Sequence, residues 1–299
     1  MTPTERAYTL TLTVQEGQEG RLAAFLREQH HFSRRLLNKL KREGTVQVNG
    51  QTAFFHTQLK TGDKVAVCFP VEKPNPELKP QPMVLDIIHE DQDVLVVNKP
   101  AGLTVHPTMT EQEGTLANGV IHHWQKRGTC ASFHPVSRLD KHTSGLILIA
   151  KHSFVHQQLD VSRQHHGLTR RYYAWVHGVV EKDNGEIVAP IGLEEGSIIK
   201  RRVRADGQPA RTRFRVIRRY ADYTWLELTL DTGRTHQIRI HCQHMGHPLL
   251  GDDLYGGSRH LIQRQALHAC ALAFVHPRHK KVCSFSAPLP EDLKRLAAG

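Results

Sequence analysis

The chain has 299 residues, 39% apolar and 23% charged, which suits one large globular domain with a smaller one beside it. Forty Lys and Arg stand against 29 Asp and Glu, a net charge of +11, so a polyanion is the expected partner. No window carries the ~18 to 20 consecutive apolar residues of a membrane span, and five scattered cysteines with no C-x-x-C pair argue for a reducing, cytoplasmic setting.

The start, "MTPTERAYTLTLTVQEGQEG", has no cationic stretch leading into an apolar core, so no secretory leader is expected. "YTLTLTV" alternates and reads as a strand; "GRLAAFLREQH" sets Leu22, Phe25 and Leu26 at helical spacing. In "SRRLLNKLKREG", Ser33 is the N-cap, Leu36, Leu37 and Leu40 form the apolar stripe, and Gly44 ends the helix. Arg34, Arg35, Lys39, Lys41 and Arg42 cover the rest of that helix and form a candidate phosphate-tracking face. Short strands follow around the turns in "TVQVNGQ" and "LKTGDKVAVCF". Residues 70–82, "PVEKPNPELKPQP", hold five prolines in thirteen positions and read as an extended linker. The organisation expected is residues 1–72 as a small unit with its core in 15–70, a linker over 73–82, and a large unit over 83–299.

In the large unit, "DVLVVNKPAGLTVHP", "GLILIAK", "RYYAWVHG", "ARTRFRVIRRY", "TWLELTL" and "THQIRIH" read as strands, with helices near 115–126, 153–165, 242–246 and 258–266. That pattern is α+β, with a mixed or antiparallel sheet. Arg211, Arg213 and Arg215 alternate with Thr212, Phe214 and Val216, giving one cationic and one apolar strand face.

"HPVSRLDKHTSGLILIAK" sets Asp140 among Arg138 and Lys141 at the mouth of an apolar run. Such an acid is either a turn former or, if a cation keeps it ionised, a covalent nucleophile. "TGRTHQIRIH" supplies a candidate cation: read as a strand over 235–241, it puts Gln237, Arg239 and His241 on one face and Ile238 and Ile240 toward the core. His236, His241, Cys242, His244 and His247 crowd that segment, but their spacing matches neither H-E-x-x-H nor a Cys/His finger, so no metal is expected and RNA or surface roles are preferred. Walker, Rossmann and G-x-S-x-G motifs are missing from the sequence, so no cofactor is expected.

These segments carry a resemblance. "VSRLDKHTSGLILIAK" is similar to the H-R-L-D-x-x-T-S-G-L signature of the RluA family of RNA pseudouridine synthases, and "VVNKPAGLTVHP" at 96–107 resembles the opening of its catalytic domain. "RRYYAWVHG" at 170–178 is similar to its K-x-Y-x-A-x-V-x-G motif, "TGRTHQIRIHCQHMGHPLLGDDLYG" to its third motif, and "LHACALAFVHP" with "FSAPLP" to its end. The two short helices followed by "GTVQVNG" and "TGDKV" resemble the small RNA-binding domain named after ribosomal protein S-four.

The resemblance implies an isomerase that turns uridine into pseudouridine in structured RNA, with base flipping and no cofactor. It implies Asp140 as nucleophile, Tyr172 as the aromatic platform under the target base, Arg239 as the partner of the aspartate, and Arg138 in the space the flipped uridine leaves. Ser137 stands where the family usually has His, and Arg170 where it usually has Lys. Ribosomal RNA of the large subunit is the expected target, with transfer RNA as the alternative, and the protein is expected to act as a monomer without a membrane. A catalytically silent RNA-binding or ribosome-assembly protein of the same fold is the competing reading; intact Asp140, Tyr172 and Arg239 weigh against it.

Overall fold

The computed structural model describes residues 8–72, 75–165 and 167–299. Residues 1–7 of the small unit and 73–74 of the linker therefore lie outside the described residues. The small unit runs β1 (Thr9–Thr13), β2 (Gly20–Arg21), α1 (Leu22–Ala24) with a π-helical turn over Phe25–Gln29, α2 (Arg34–Glu43), β3 (Thr45–Val48), β4 (Gln51–Thr52), β5 (Gln58–Leu59) and β6 (Lys64–Cys68). Its main sheet has the order β1-β6-β3-β4. Ser33 caps α2 as expected, accepting from the Leu36 N–H at 3.2 Å. Asn49 and Gly50 both take positive φ, the geometry of a tight hairpin turn. The Asn49 side chain then joins this turn to the next, donating to Asp63 and accepting from the Lys64 N–H, each at 2.9 Å.

The large unit continues with β7 (Ile87–Glu90), β8 (Val94–Lys99), α3 (Leu116–Lys126), β9 (His134–Pro135), β10 (Ser144–Ala150), α4 (Ser153–Gln164), β11 (Leu168–His177), β12 (Asn184–Val188), β13 (Ile191–Leu193), β14 (Arg201–Val203), β15 (Arg211–Arg219), β16 (Tyr223–Leu230), α5 (Gln237–His244), β17 (Leu267–Val275), β18 (Val282–Ser286) and α6 (Glu291–Ala298). The central path is β12-β15-β16-β11-β17-β10-β8-β7; β18 joins β17 and β9 joins β10. Only the β10–β17 pair is parallel, so the sheet is mixed and the fold is α+β. Among the described residues no helix is long and apolar enough to cross a membrane.

Two cores lie on opposite faces of this sheet. Along β8, Leu95 and Val97 face one core while Val94 and Val96 face the other; β10 divides Ile147 and Ile149 from Leu146 and Leu148 in the same way. Burial on both faces explains why "VLVV" and "LILI" read as unbroken apolar runs. Each of those aliphatic side chains contributes roughly 1.5 to 3 kcal/mol of burial. The first core takes in Tyr172, Leu139 and Ile238; the second is shared between α4 and the small unit. Phe32 and Phe69 pack on Phe154 of α4, with ring centroids 4.8 and 4.9 Å away. Gln157 and Gln158 donate to the carbonyls of His31 and His30 at 2.6 and 2.8 Å. The linker is itself anchored: Leu78 is buried, and Asn118 donates to the Lys79 carbonyl at 2.8 Å. The two units are thus joined by a common core as well as by the prolines.

Three expected elements differ. The strand read over "DVLVVNKPAGLTVHP" ends at Lys99, and residues 100–107 run on as turns and bends. Residues 235–241 do not continue as a strand: the chain reverses at His236, with φ +57°, and enters α5. Gln237 makes that reversal possible, its side-chain oxygen accepting from the Arg234 N–H at 2.9 Å and from the Thr232 hydroxyl at 2.7 Å. The alternation of "QIRIH" misleads because both sides of this helix are buried, Ile238 in the main core and Ile240 in a small one with Tyr255. Residues 258–266 form bends rather than a helix. Their ends are pinned to the neighbouring strand region, the Gly251 N–H donating to Ser258 and the Ala266 N–H to Leu250, both at 2.8 Å.

Candidate active site

Asp140 occupies a turn at the entrance to β10, closed by the Thr143 N–H donating to the Asp140 carbonyl at 3.0 Å. The residues after it build the mount. Thr143 accepts from Gln265 at 3.4 Å, Ser144 meets His268 Nδ1 at 2.9 Å, and Gly145, at φ +111°, lets β10 approach β17. A Cβ at Gly145 would fall 2.3 Å from the Ala269 carbonyl oxygen. Arg264 braces the same turn, donating to the His142 carbonyl at 3.1 Å while Asp292 holds its Nε at 2.7 Å. Lys99, fully buried at the end of β8, donates to the carbonyls of Pro100, Leu103 and Lys141 at 2.9, 2.8 and 3.0 Å. Burial pushes the Lys99 pKa down to about 7, against the pull of the Asp140 charge.

Arg239 reaches Asp140 from α5, its Nη1 3.2 Å from Oδ2. The same guanidinium grips Asp252 with two bonds of 2.7 Å, and its Cζ lies 4.9 Å from the centre of the Tyr255 ring. Burial works against the Arg239 charge, but the hydrogen bonds and charge of Asp252, joined by Asp140, hold its pKa above the ordinary value. Asp252 is 1% exposed, and its carboxyl group faces this arginine rather than water. Asp140 is 28% exposed and open to a ligand.

An inner pocket of about 60 Å³ brings together Asp140, Tyr172, Arg239 and Arg138. Tyr172 is buried on β11 opposite Leu228, and burial raises the pKa of its hydroxyl. The pocket opens into a groove of about 820 Å³ lined by Arg138, Arg163, Arg170, Arg201 and Arg234 as well as Ser137. Arg170 is buried there, donating to the Thr232 carbonyl at 3.3 Å. Arg138 is exposed at the rim.

The cations of α2 stand apart from this pocket. Arg34, Arg35, Lys41 and Arg42 are exposed, whereas Lys39 is half-buried 3.9 Å from Glu72. The cationic face of β15 is matched by acids: Arg211 and Arg213 pair with Asp231, and Arg215 with Glu227. In the histidine-rich segment, both ring nitrogens of His241 are engaged, with Thr212 at 2.8 Å and the Ala189 carbonyl at 3.0 Å, and His247 meets the His177 carbonyl at 2.8 Å. His241 and Cys242 are fully buried rather than at the surface, and His236 also departs from its expected surface role, lying 3.9 Å from Asp140.

Asp252, Lys99, Arg264 and His236 were not singled out by sequence reasoning as parts of the site. Each lies far from Asp140 in sequence, and only folding assembles them. The available signal was the motif text itself, since "NKP" contains Lys99, "RTHQIR" contains His236 and "GDDLYG" contains Asp252.

Residues 93–244 match the family model described as RNA pseudouridylate synthase, and residues 10–65 match that of the RluD ribosomal pseudouridine synthase N-terminal domain. The chain is 45% identical over 269 residues to an RNA pseudouridine synthase of Bacillus subtilis, YjbO, covering 90% of this chain and 95% of the relative. It is 38% identical over 307 residues to ribosomal large subunit pseudouridine synthase D of Neisseria meningitidis, covering 98% and 82%. Among solved structures, human RNA pseudouridylate synthase domain containing 1 shares the fold, with TM-score 0.56 at 24% identity over 73% of this chain and 86% of that one.

Proposed function

The chain belongs to the RNA pseudouridylate synthase family and is an isomerase acting on RNA, and from that premise we propose that it modifies a uridine of large-subunit ribosomal RNA with Asp140 as the nucleophile. The observation that carries the assignment is the contact between Asp140 and Arg239, 3.2 Å long, at the floor of a pocket shared with Tyr172. Arg239 offsets the cost of a carboxylate charge in a half-closed site. Tyr172 offers its ring to a uracil that has left its stack, which offsets part of an unstacking cost of a few kcal/mol. Arg138, Arg163, Arg201 and Arg234 of the groove suit the phosphates on either side of the flipped nucleotide.

Asp140 serves each route open to this isomerisation: attack on carbon 1′ of the sugar, attack on carbon 6 of the base, or removal of a sugar proton to give a glycal. In every case the bond from carbon 1′ to N1 breaks, the uracil turns within the pocket, carbon 5 joins carbon 1′, and the proton on carbon 5 leaves to solvent. Ribosomal RNA is favoured by the match of the small unit to an N-terminal domain of ribosomal pseudouridine synthases and by the Neisseria relative. The five cysteines are all free, which supports a reducing, cytoplasmic setting. A transcriptome-wide pseudouridine map with and without this gene tests the target. The expected result is one or a few large-subunit sites that vanish and return with the wild-type gene; loss confined to transfer RNA would replace ribosomal RNA as the substrate.

A further inference from the structure

His236 takes a left-handed backbone conformation that a non-glycine residue adopts at a cost, and it does so beside the nucleophile. Its ring lies between two partners. Nδ1 is 2.8 Å from the Tyr255 hydroxyl, and Nε2 points toward Asp140 Oδ2 at 3.9 Å, beyond hydrogen-bond reach. The Tyr255 hydroxyl already accepts from the Arg201 backbone N–H at 3.2 Å. Its own proton has one acceptor among the described residues, His236 Nδ1. Assigning that proton's hydrogen bond to Nδ1 places the imidazole's own proton on Nε2. Burial lowers the ring's pKa, and the Arg239 charge adds to that against the pull of Asp140, which favours the neutral imidazole. On that assignment the pocket presents one oriented, neutral N–H beside the nucleophile, with no acceptor within hydrogen-bond distance among the described residues.

We propose that His236 is a further catalytic residue, whose Nε2–H donates a hydrogen bond to a carbonyl oxygen of the uracil as the base leaves carbon 1′; the inference rests on the reading of Asp140 above. When that bond breaks, its electron pair passes to the uracil ring and spreads over N1 and the two carbonyl oxygens. A neutral donor stabilises this charge without transferring its proton, so the base stays free to turn. Carbon 5 then bonds carbon 1′, and the carbon 5 proton goes to solvent. Donors preorganised at developing negative charge are the kind of group whose loss is felt in the rate rather than in binding.

The test uses the full chain on large-subunit ribosomal RNA transcribed with tritium at carbon 5 of uridine, under single turnover at saturating enzyme, with RNA affinity measured in parallel. His236→Asn tolerates the left-handed backbone, but its amide ends near the place of Nδ1; His236→Gln carries its amide nitrogen to the place of Nε2. The Asn variant is expected to slow tritium release about 100-fold or more with RNA affinity within about threefold, and Gln to recover at least about tenfold of the lost rate. Tyr255→Phe keeps the ring against Arg239 and frees the tautomer, and should slow release with affinity unchanged. Wild-type rates in His236→Asn, or equal slowing by Asn and Gln, would overturn the proposal. Wild-type activity beside an inert Asp140→Asn control makes that a failure of His236 alone; an inactive wild type would instead sink the substrate reading on which the proposal rests.

Discussion

At Arg239 one guanidinium serves two carboxylates, and the two have different tasks. Asp252 is sealed from water and takes two of the hydrogen bonds, whereas Asp140 takes one and remains open to the groove. Removing the arginine strands a buried charge, which typically costs about 3 to 5 kcal/mol. Arg239→Met should therefore lose both stability and turnover. The double variant Arg239→Met, Asp252→Asn separates the two losses. It should regain most of the stability, because the buried charge is gone, yet stay inactive, because Asp140 still lacks its counter-ion. Chemical denaturation and single-turnover rates on the three proteins check this. Turnover restored along with stability would mean that Arg239 acts only as a structural tie.

Among the elements, α4 joins the small unit to the catalytic sheet, and Glu72 fixes its start by accepting from the Ser153 N–H and hydroxyl at 2.9 and 2.7 Å. Burial alone would raise the Glu72 pKa, but His134, the Ser153 bonds and the nearby Lys39 charge bring it from 4.5 down to about 2. A depressed carboxyl pKa contributes stability that is present above pH 4.5 and is lost as the pH falls toward 2. Glu72→Gln should thus be less stable than wild type at pH 7 by on the order of 2 kcal/mol, and the gap should close as the pH falls through that window. Melts at pH 7, 4 and 3 read the difference, and a gap independent of pH would exclude the linkage. The small unit's own turns were legible in the sequence because "NG" and "GD" carry local backbone rules. Its seat on α4 was not, since Phe32, Phe69 and Phe154 read equally well as interior residues of separate cores. Asp140 could be read from contiguous residues, but its partner came from a segment whose alternation imitated a strand, and the acids facing Arg211, Arg213 and Arg215 lie on β12, on β16 or just past its end.

For the whole molecule, the inner pocket and the small unit draw on different cores: Tyr172 and Leu139 belong to one, while the small unit packs on the other, and the groove reaches toward it only along α4. The α2 cations line neither the inner pocket nor the groove, so on the proposed reading they are expected to act in capture of RNA rather than in the chemistry. Truncating the unit would expose Phe154, on which Tyr8, Phe32 and Phe69 pack, so charge removal on the intact chain is the cleaner probe. Arg34, Arg35, Lys41 and Arg42 changed together to Gln should flatten the log-affinity versus log-salt slope by roughly 2 to 3 units, at about 0.7 per phosphate contact. The rate at saturating enzyme should hardly move, because uniform binding is lost; an unchanged slope would make α2 a solvated face. The central claim, that Asp140 is the nucleophile, is met most directly by single-turnover tritium release from carbon 5 with Asp140→Asn. This substitution keeps the size and polarity of the side chain and removes its charge. Release should fall to background while RNA affinity stays within about tenfold, ~1.4 kcal/mol, of wild type. Release at an appreciable fraction of the wild-type rate would contradict it.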